Sequence, residues 1–429
     1  MISLRGFLVI LTIPARLIWA LISYAIFGGV NEKFQNDLFN SVKIHALRIG
    51  LDIPVRDFIY LGKGADHIIN KTVKSSLPSL TKLNNYGMRY DQQSIWLVEA
   101  KNRSTSDPII IYCHGGGYIA GPFPQQYETI LGMYHLLDER KRTKTSVLAL
   151  HYHLVGSGGA IGSHVDELAA TYIKLAEAGN DNIVLMGDSA GGNLAIVLLQ
   201  YLKQQKNPKL AWPRSTVLMS PWVKMVPEKY QLSPGHSYHD NKNRDYLEAR
   251  FVGTPKRLEA LFGGVNYADI LISPGNLPYK VEDWKEIPTL NDRGYSTFVI
   301  LGEHEVFRDD ILEWSQYAVG SNLKPQSKDS GGIVNSAVQE YKTDGKNGAY
   351  IDVVVEPWAL HAHVVTFESD IGKKLEKNPQ LKLENLDKSK FFGVVRIVEF
   401  LNRTLDVSTE KEELSTTVKV KQGKLVETL

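Results

Sequence analysis

Cysteine is almost missing from this 429-residue chain: Cys113 is the single one, so no intramolecular disulfide is available. It stands inside an apolar run, where a thiol serves as a small buried hydrophobe rather than a reactive group. Excess charge of either sign is missing too. Lys and Arg number 49 against 47 Asp and Glu, a net charge of +2. No basic stripe gathers along the chain, so nothing in it calls for a nucleic-acid partner. Internal repeats are absent. Metal-ligand spacing is absent as well: His151 and His153 share one strand face, but no third ligand accompanies them. An Ala-x-Ala cleavage pattern is lacking near the end of the one long apolar run. What remains is an ordinary globular composition, 43% apolar and 22% charged. It is long enough for one α/β domain of about 300 residues with an N-terminal extension.

Two stretches carry chemistry. Met186-Gly187-Asp188-Ser189-Ala190-Gly191-Gly192 follows the β-branched run starting at Ile183 and leads into the helix-compatible run Asn193 to Leu199. A strand that ends in Gly-x-Ser-x-Gly and turns at once into a helix presents the serine hydroxyl at a sheet edge. Alone, this pattern also describes a Gly-rich strand-to-helix turn. The second stretch narrows the choice. Ile109 to Cys113 is a buried-strand run that ends in His114-Gly115-Gly116-Gly117-Tyr118. Successive glycines let backbone N–H groups point together at a ligand, which the oxyanion of acyl transfer requires.

This ordered pair of motifs resembles the hormone-sensitive-lipase-like branch of the α/β-hydrolases, which includes the arylacetamide deacetylases. The resemblance spans about residues 109 to 404. It implies an α/β-hydrolase fold, with a mostly parallel central sheet, helices on both faces and a helical cap. The strand and helix alternation from Ile109 onward agrees with a parallel sheet. By this reading, 1–30 is an N-terminal membrane anchor and 31–108 holds cap helices and the first strands. Residues 109–405 form the catalytic domain. Within it, the aromatic, Pro-rich 224–291 is a second cap segment and 324–348 a surface insertion without a catalytic role. Residues 406–429 form a polar tail.

A serine hydroxyl becomes nucleophilic when an imidazole takes its proton, and a carboxylate must orient that imidazole. In this fold the chain order is Ser, acid, His. After the strand Thr297 to Leu301 the chain reads Gly302-Glu303-His304-Glu305-Val306-Phe307-Arg308-Asp309-Asp310. The resemblance puts the acid at Glu305, a glutamate where the family carries aspartate, with Asp309 or Glu303 as substitutes. After the last strand come His361 and His363. The family's spacing favours His361 as the base and leaves His363 as second choice. The same resemblance assigns the oxyanion donors to the N–H groups of Gly115, Gly116 and Ala190. His114 is expected to fix the glycine loop rather than move protons, and Asp188 to support the elbow. No metal or organic cofactor is implied.

Residues 6–30 are nearly all apolar, interrupted by Pro14 and Arg16. The run reaches the ~20 residues a bilayer needs only if Arg16 falls inside it, at about 2.5–3.5 kcal/mol. An uncleaved anchor is expected, in preference to a signal peptide or an interfacial helix. Arg5 and Arg16 precede or enter the span, whereas Glu32, Lys33 and Asp37 nearly balance after it. The positive-inside rule then makes the catalytic domain lumenal. Asn70, Asn102 and Asn402 each begin an Asn-x-Ser/Thr acceptor for glycosylation.

Where relatives carry a Tyr-Arg-Leu-Ala-Pro-Glu-like loop, this chain reads Tyr152-His153-Leu154-Val155-Gly156-Ser157. With the anchor, that departure resembles the fungal steryl acetyl hydrolases, which deacetylate sterol acetates at the endoplasmic reticulum. Removal of a short acyl group from a lipophilic alcohol, on the lumenal side of that membrane, is therefore expected. The alternatives are a broad lipid or xenobiotic esterase of the arylacetamide-deacetylase kind, and a non-catalytic binder comparable to the gibberellin receptors of this branch. Nothing in the sequence sets the oligomeric state.

Overall fold

The computed structural model describes residues 1–248, 251 and 254–406. The tail expected from 406 onward thus lies, beyond Asp406, outside the described residues. Strands β1 (Ser94–Val98), β2 (Ile109–Cys113), β3 (Ser146–Leu150), β4 (Ile183–Asp188), β5 (Ser215–Met219), β6 (Ser296–Gly302), β7 (Glu340–Lys342) and β8 (Tyr350–Glu356) form one sheet. Their order is β1-β3-β2-β4-β5-β6-β8-β7. Edge strands β1 and β7 are antiparallel to their neighbours, and every pairing between is parallel. The chain is an α/β-hydrolase.

Side-chain alternation sorts the interior strands into two cores. Ile109, Ile111 and Cys113 of β2 share a core with Leu168 of the helix His164–Glu177 and Leu194 of the helix Ala190–Gln205. Ile110 and Tyr112 share the opposite core with Leu131 of the helix Pro124–Leu136 and Val394 of the helix Phe392–Thr404. Burial on both faces explains why these strands read as unbroken apolar runs, and each such leucine or isoleucine contributes about 1.5–3 kcal/mol. Because β2, β4, β5, β6 and β8 are parallel, the loops that follow them all emerge at one sheet edge. That edge holds the candidate site.

The N-terminal extension is a pair of helices, α1 (Leu4–Phe27) and α2 (Leu38–Leu51). Pro14 lies inside α1 without ending it. α1 is fastened along its length. The Ser3 backbone N–H donates to Asp57 Oδ1 at 3.0 Å, Arg16 pairs with Asp52 at 2.7 Å, and the Tyr24 hydroxyl donates to the Gln35 carbonyl at 2.7 Å. Arg16, the expected cost inside a span, is thus neutralised by a carboxylate of the folded body. The other side of α1 leaves Phe7, Leu11, Trp19, Ile22 and Phe27 exposed. The stretch expected to hold helices, 31–108, has α2 followed by a 3-10 turn, Val55–Tyr60, since Pro54 disfavours helix at the residue before it.

Candidate active site

Ser189 sits at φ +52° and ψ −116°, a backbone state that a non-glycine residue holds only when its surroundings enforce it. Three backbone bonds do so. Ser189 N–H donates to Met219 O at 2.9 Å, while Ser189 O accepts from Trp222 N–H at 2.9 Å and Asn193 N–H at 3.0 Å. Tightness dictates composition: a Cβ at Gly191 would lie 1.9 Å from the Cys113 carbonyl oxygen.

The Ser189 hydroxyl oxygen lies 2.8 Å from His361 Nε2. On the far side of the ring, His361 Nδ1 faces Glu305 Oε1 at 3.8 Å, and among the described residues neither atom has a hydrogen-bond partner. Glu305 is fully buried, and its other oxygen is saturated. Oε2 accepts from the Ser220 hydroxyl at 2.5 Å and from Gly302 N–H at 2.8 Å. Ser220 Oγ in turn accepts from Ala362 N–H at 3.0 Å, which ties the acid to the loop carrying the histidine. The structure therefore brings Ser189, Glu305 and His361 together.

It does not bring the second choices there. His363 Nε2 faces Glu356 at 3.7 Å, and its ring packs against Phe34 and Phe367. Burial, with Lys33 and Lys43 nearby, holds its pKa well below the ordinary imidazole value. Asp309 accepts from Ser237 N–H at 2.9 Å and Arg308 Nε at 2.8 Å. Glu303 accepts from Ser330 N–H at 2.7 Å and Trp358 N–H at 2.9 Å, bracing the loops from behind.

The glycine loop requires one correction. Gly115 N–H, expected to serve an oxyanion, donates instead to Asp188 Oδ1 at 3.0 Å. Asp188 is a buried carboxylate, and desolvation pushes its pKa up against the bonds from Tyr112, Gln126 and Gly115. It therefore gathers every donor in reach: the Tyr112 hydroxyl at 2.5 Å and Gln126 Nε2 at 3.0 Å besides Gly115. The N–H groups of Gly116, Gly117 and Ala190 donate to no protein acceptor among the described residues. His114 stacks on Tyr152 with centroids 4.4 Å apart, and burial pushes its pKa down to about 3, so it is neutral there. The Tyr152 hydroxyl donates to the His114 carbonyl at 2.7 Å, and Val155 N–H to the Tyr118 carbonyl at 2.8 Å. The divergent loop 152–157 thus still supports the glycine loop.

Sequence reasoning missed a second set of residues. Asn241 Nδ2 donates to the carbonyls of Glu303 and Glu305, at 3.2 and 2.9 Å, and Asp245 accepts from Val306 and His361 N–H groups at 2.9 and 3.2 Å. The 324–348 stretch is more than a surface insertion. It supplies β7, and its Asp329 accepts from Trp358 Nε1 at 2.6 Å while lying 2.9 Å from His304 Nε2. Of the three glycosylation acceptors, Asn102 is exposed. Asn70 Nδ2 donates to Gly87 O at 3.2 Å and Asn402 Nδ2 to Asp138 Oδ1 at 3.2 Å, so both amides are engaged within the fold.

The chain is similar to known proteins over much of its length. Residues 80–332 match the family described as steryl acetyl hydrolase. A Schizosaccharomyces pombe protein assigned by name to the steryl acetyl hydrolases (mug81) is 31% identical over 336 residues, covering 73% of this chain and 84% of that protein. Steryl acetyl hydrolase 1 of Saccharomyces cerevisiae is 26% identical over 123 residues, covering 28% of this chain and 27% of that one. Among solved structures, an esterase of the bacterial hormone-sensitive lipase family superposes with a TM-score of 0.50 at 19% identity. That match covers 85% of this chain and 98% of the esterase, and it shows a common fold.

Proposed function

The chain belongs to the steryl acetyl hydrolase family of carboxylic ester hydrolases, and from that premise we propose that it removes the acetyl group from sterol acetates or similarly lipophilic esters. The observation that carries the reading is the 2.8 Å approach of Ser189 Oγ to His361 Nε2 on a strained turn. Ser189 attacks the ester carbonyl while His361 Nε2 takes its proton, and Glu305 across the ring stabilises the imidazolium. The oxyanion forms against the N–H groups of Gly116, Gly117 and Ala190, which donate to no other group among the described residues. His361 returns its proton to the departing alkoxide. Water, deprotonated by the same imidazole, then releases acetate and restores Ser189. Retention of serine, imidazole and carboxylate in contact supports an enzyme over a binding protein.

We also place the chain at the endoplasmic reticulum membrane through α1, with the catalytic domain lumenal. The apolar length of α1 and the charge difference across it support this placement. So does the exposure of Asn102. Lumenal exposure predicts a glycosidase-sensitive mobility shift that Asn102→Gln removes, and no shift in the wild type counts against it.

The deciding experiment compares sterol acetate with short and long p-nitrophenyl esters, for wild type and Ser189→Ala. The alanine variant should lose sterol acetate turnover by about 10⁴-fold or more. Turnover of short esters alone points to a general esterase. Absence of any serine-dependent hydrolysis refutes the proposal.

A further inference from the structure

The cap segment 237–245 places no side chain on Ser189, yet it bonds to both loops that carry the acid and the base. Ser237 Oγ donates to Val306 O at 2.7 Å, and Asn241 holds the carbonyls of Glu303 and Glu305. Asp245 does something different: its one carboxylate spans the two loops. Oδ2 accepts from Val306 N–H, the residue after Glu305, at 2.9 Å. Oδ1 accepts from Tyr246 N–H at 2.8 Å and from the N–H of His361 itself at 3.2 Å. Asp245 is fully buried, so these bonds are sheltered from water. Its backbone carbonyl is gripped in turn by Arg48 of α2, Nε at 3.1 Å and Nη2 at 2.8 Å. A chain of contacts therefore runs from the N-terminal helix pair through Asp245 to the histidine.

We propose that Asp245 is the positioning residue that locks His361 against Glu305, so that the catalytic histidine is in register only while the cap segment is docked. The inference rests on the reading of Ser189, Glu305 and His361 as the reacting set. A carboxylate suits the task because both of its oxygens only accept. A carboxamide would turn one of them into a donor facing an N–H group. The negative charge also bears on the imidazole. The groups facing His361 are the carboxylates of Glu305, Asp245 and Asp188, with Ser189 at Nε2 and the rings of Tyr246 and Phe307 at its edge. Burial pushes the Asp245 carboxyl up to about 6, with nearby His361 pulling it down. Its ionisation therefore falls within the pH range a rate profile covers. Loss of that charge disfavours the imidazolium and shifts the acid limb of the rate profile, where His361 must be deprotonated, to lower pH.

The test uses the full chain in detergent with p-nitrophenyl acetate. Asp245→Asn should lower kcat by about 10- to 100-fold, the scale of a small misplacement of a reacting group, with KM within about threefold. Its acid limb should move to lower pH by about half a unit or more. Asn241→Ala, which loosens the same segment without touching the histidine loop, should lower stability and leave the limb in place. Asp245→Glu retains the charge and should restore the wild-type limb while kcat stays reduced. It is also the variant to read if the asparagine form does not fold, and a wild-type kcat in it then overturns the proposal. An unshifted limb in Asp245→Asn, or a kcat loss that only tracks the folded fraction, overturns it as well. Ser189→Ala separates the two readings. If it stays active the reacting set is wrong; if it is inactive while Asp245→Asn behaves as wild type, only the role of Asp245 is.

Discussion

Replacing Ser220 with alanine removes one oxygen atom and two buried hydrogen bonds. The first is the 2.5 Å bond to Glu305 Oε2, and a bond to a charged group is worth about 1.5–3 kcal/mol. The second is the 3.0 Å bond from Ala362 N–H, whose loss leaves a buried donor unsatisfied at about 1–3 kcal/mol. The two share an atom, and Glu305 keeps its bond from Gly302 N–H at 2.8 Å, so the sum is an upper bound. A loss of about 2–4 kcal/mol in urea unfolding is expected. Alanine is the right replacement because Ser220 holds φ at +47°, and glycine would relieve backbone strain while the hydroxyl is removed. Rate should suffer separately. The Glu305 carboxylate loses the bond that fixes its plane, and Oε1 must still meet His361 Nδ1 across the present 3.8 Å. A kcat reduction of about 10- to 100-fold with little change in KM is expected from steady-state hydrolysis measured well below the unfolding midpoint. Reduced stability with wild-type kcat would show that Glu305 is not held by Ser220. Wild-type values of both would refute the hydrogen-bond geometry itself.

Two further outcomes follow from the same site and its surroundings. A Cβ at Gly116 would lie 2.6 Å from the Ala120 carbonyl oxygen, on a backbone at φ +123°. Gly116→Ala should therefore displace an oxyanion donor and cost about 10²–10³ in kcat, while circular dichroism reports a folded chain; undiminished kcat counts against the assignment. Away from the reacting atoms, burial pushes the Asp310 carboxyl up to about 7, opposed mainly by Lys224 and by the bond from Gln231. A raised folded pKa gives stability that is present in full below the unfolded value, near 4, and is lost as pH rises through about 7. Stability should thus fall between about pH 4 and pH 7, and Asp310→Asn should flatten that slope and gain at pH 8. An unchanged slope refutes the assignment.

Much of the fold was legible because buried parallel strands announce themselves as apolar, β-branched runs. The run Ile109 to Cys113 matches β2 to the residue, whereas β7, three residues with one face in water, offers no such run. Chain order could not separate Glu305 from Asp309 or His361 from His363; the family's spacing put the first of each pair ahead. Choosing among the glycines was beyond the sequence. Which N–H groups stay free depends on Asp188 consuming that of Gly115, and spacing cannot show a bond between residues 73 positions apart. Asp245 was invisible for a related reason: 237–245, one helical turn (Ser237–Asp240) followed by a loop, has no periodicity or motif, and its meaning lies in what two distant loops bring to it.

One consequence of α1 concerns choice rather than strength. At about 1.5 Å per residue its 24 residues measure about 36 Å, more than the ~30 Å hydrocarbon slab. Standing upright through such a slab, it would carry Ser3 far from Asp57 and Arg16 away from Asp52. Lying along α2, it keeps both partners and turns Phe7, Leu11 and Trp19 outward. The two postures are mutually exclusive. A traverse of the bilayer would thus register in the cap as the departure of the groups that now satisfy Asp57 and Asp52, a mechanical message delivered to the helix whose Arg48 grips Asp245.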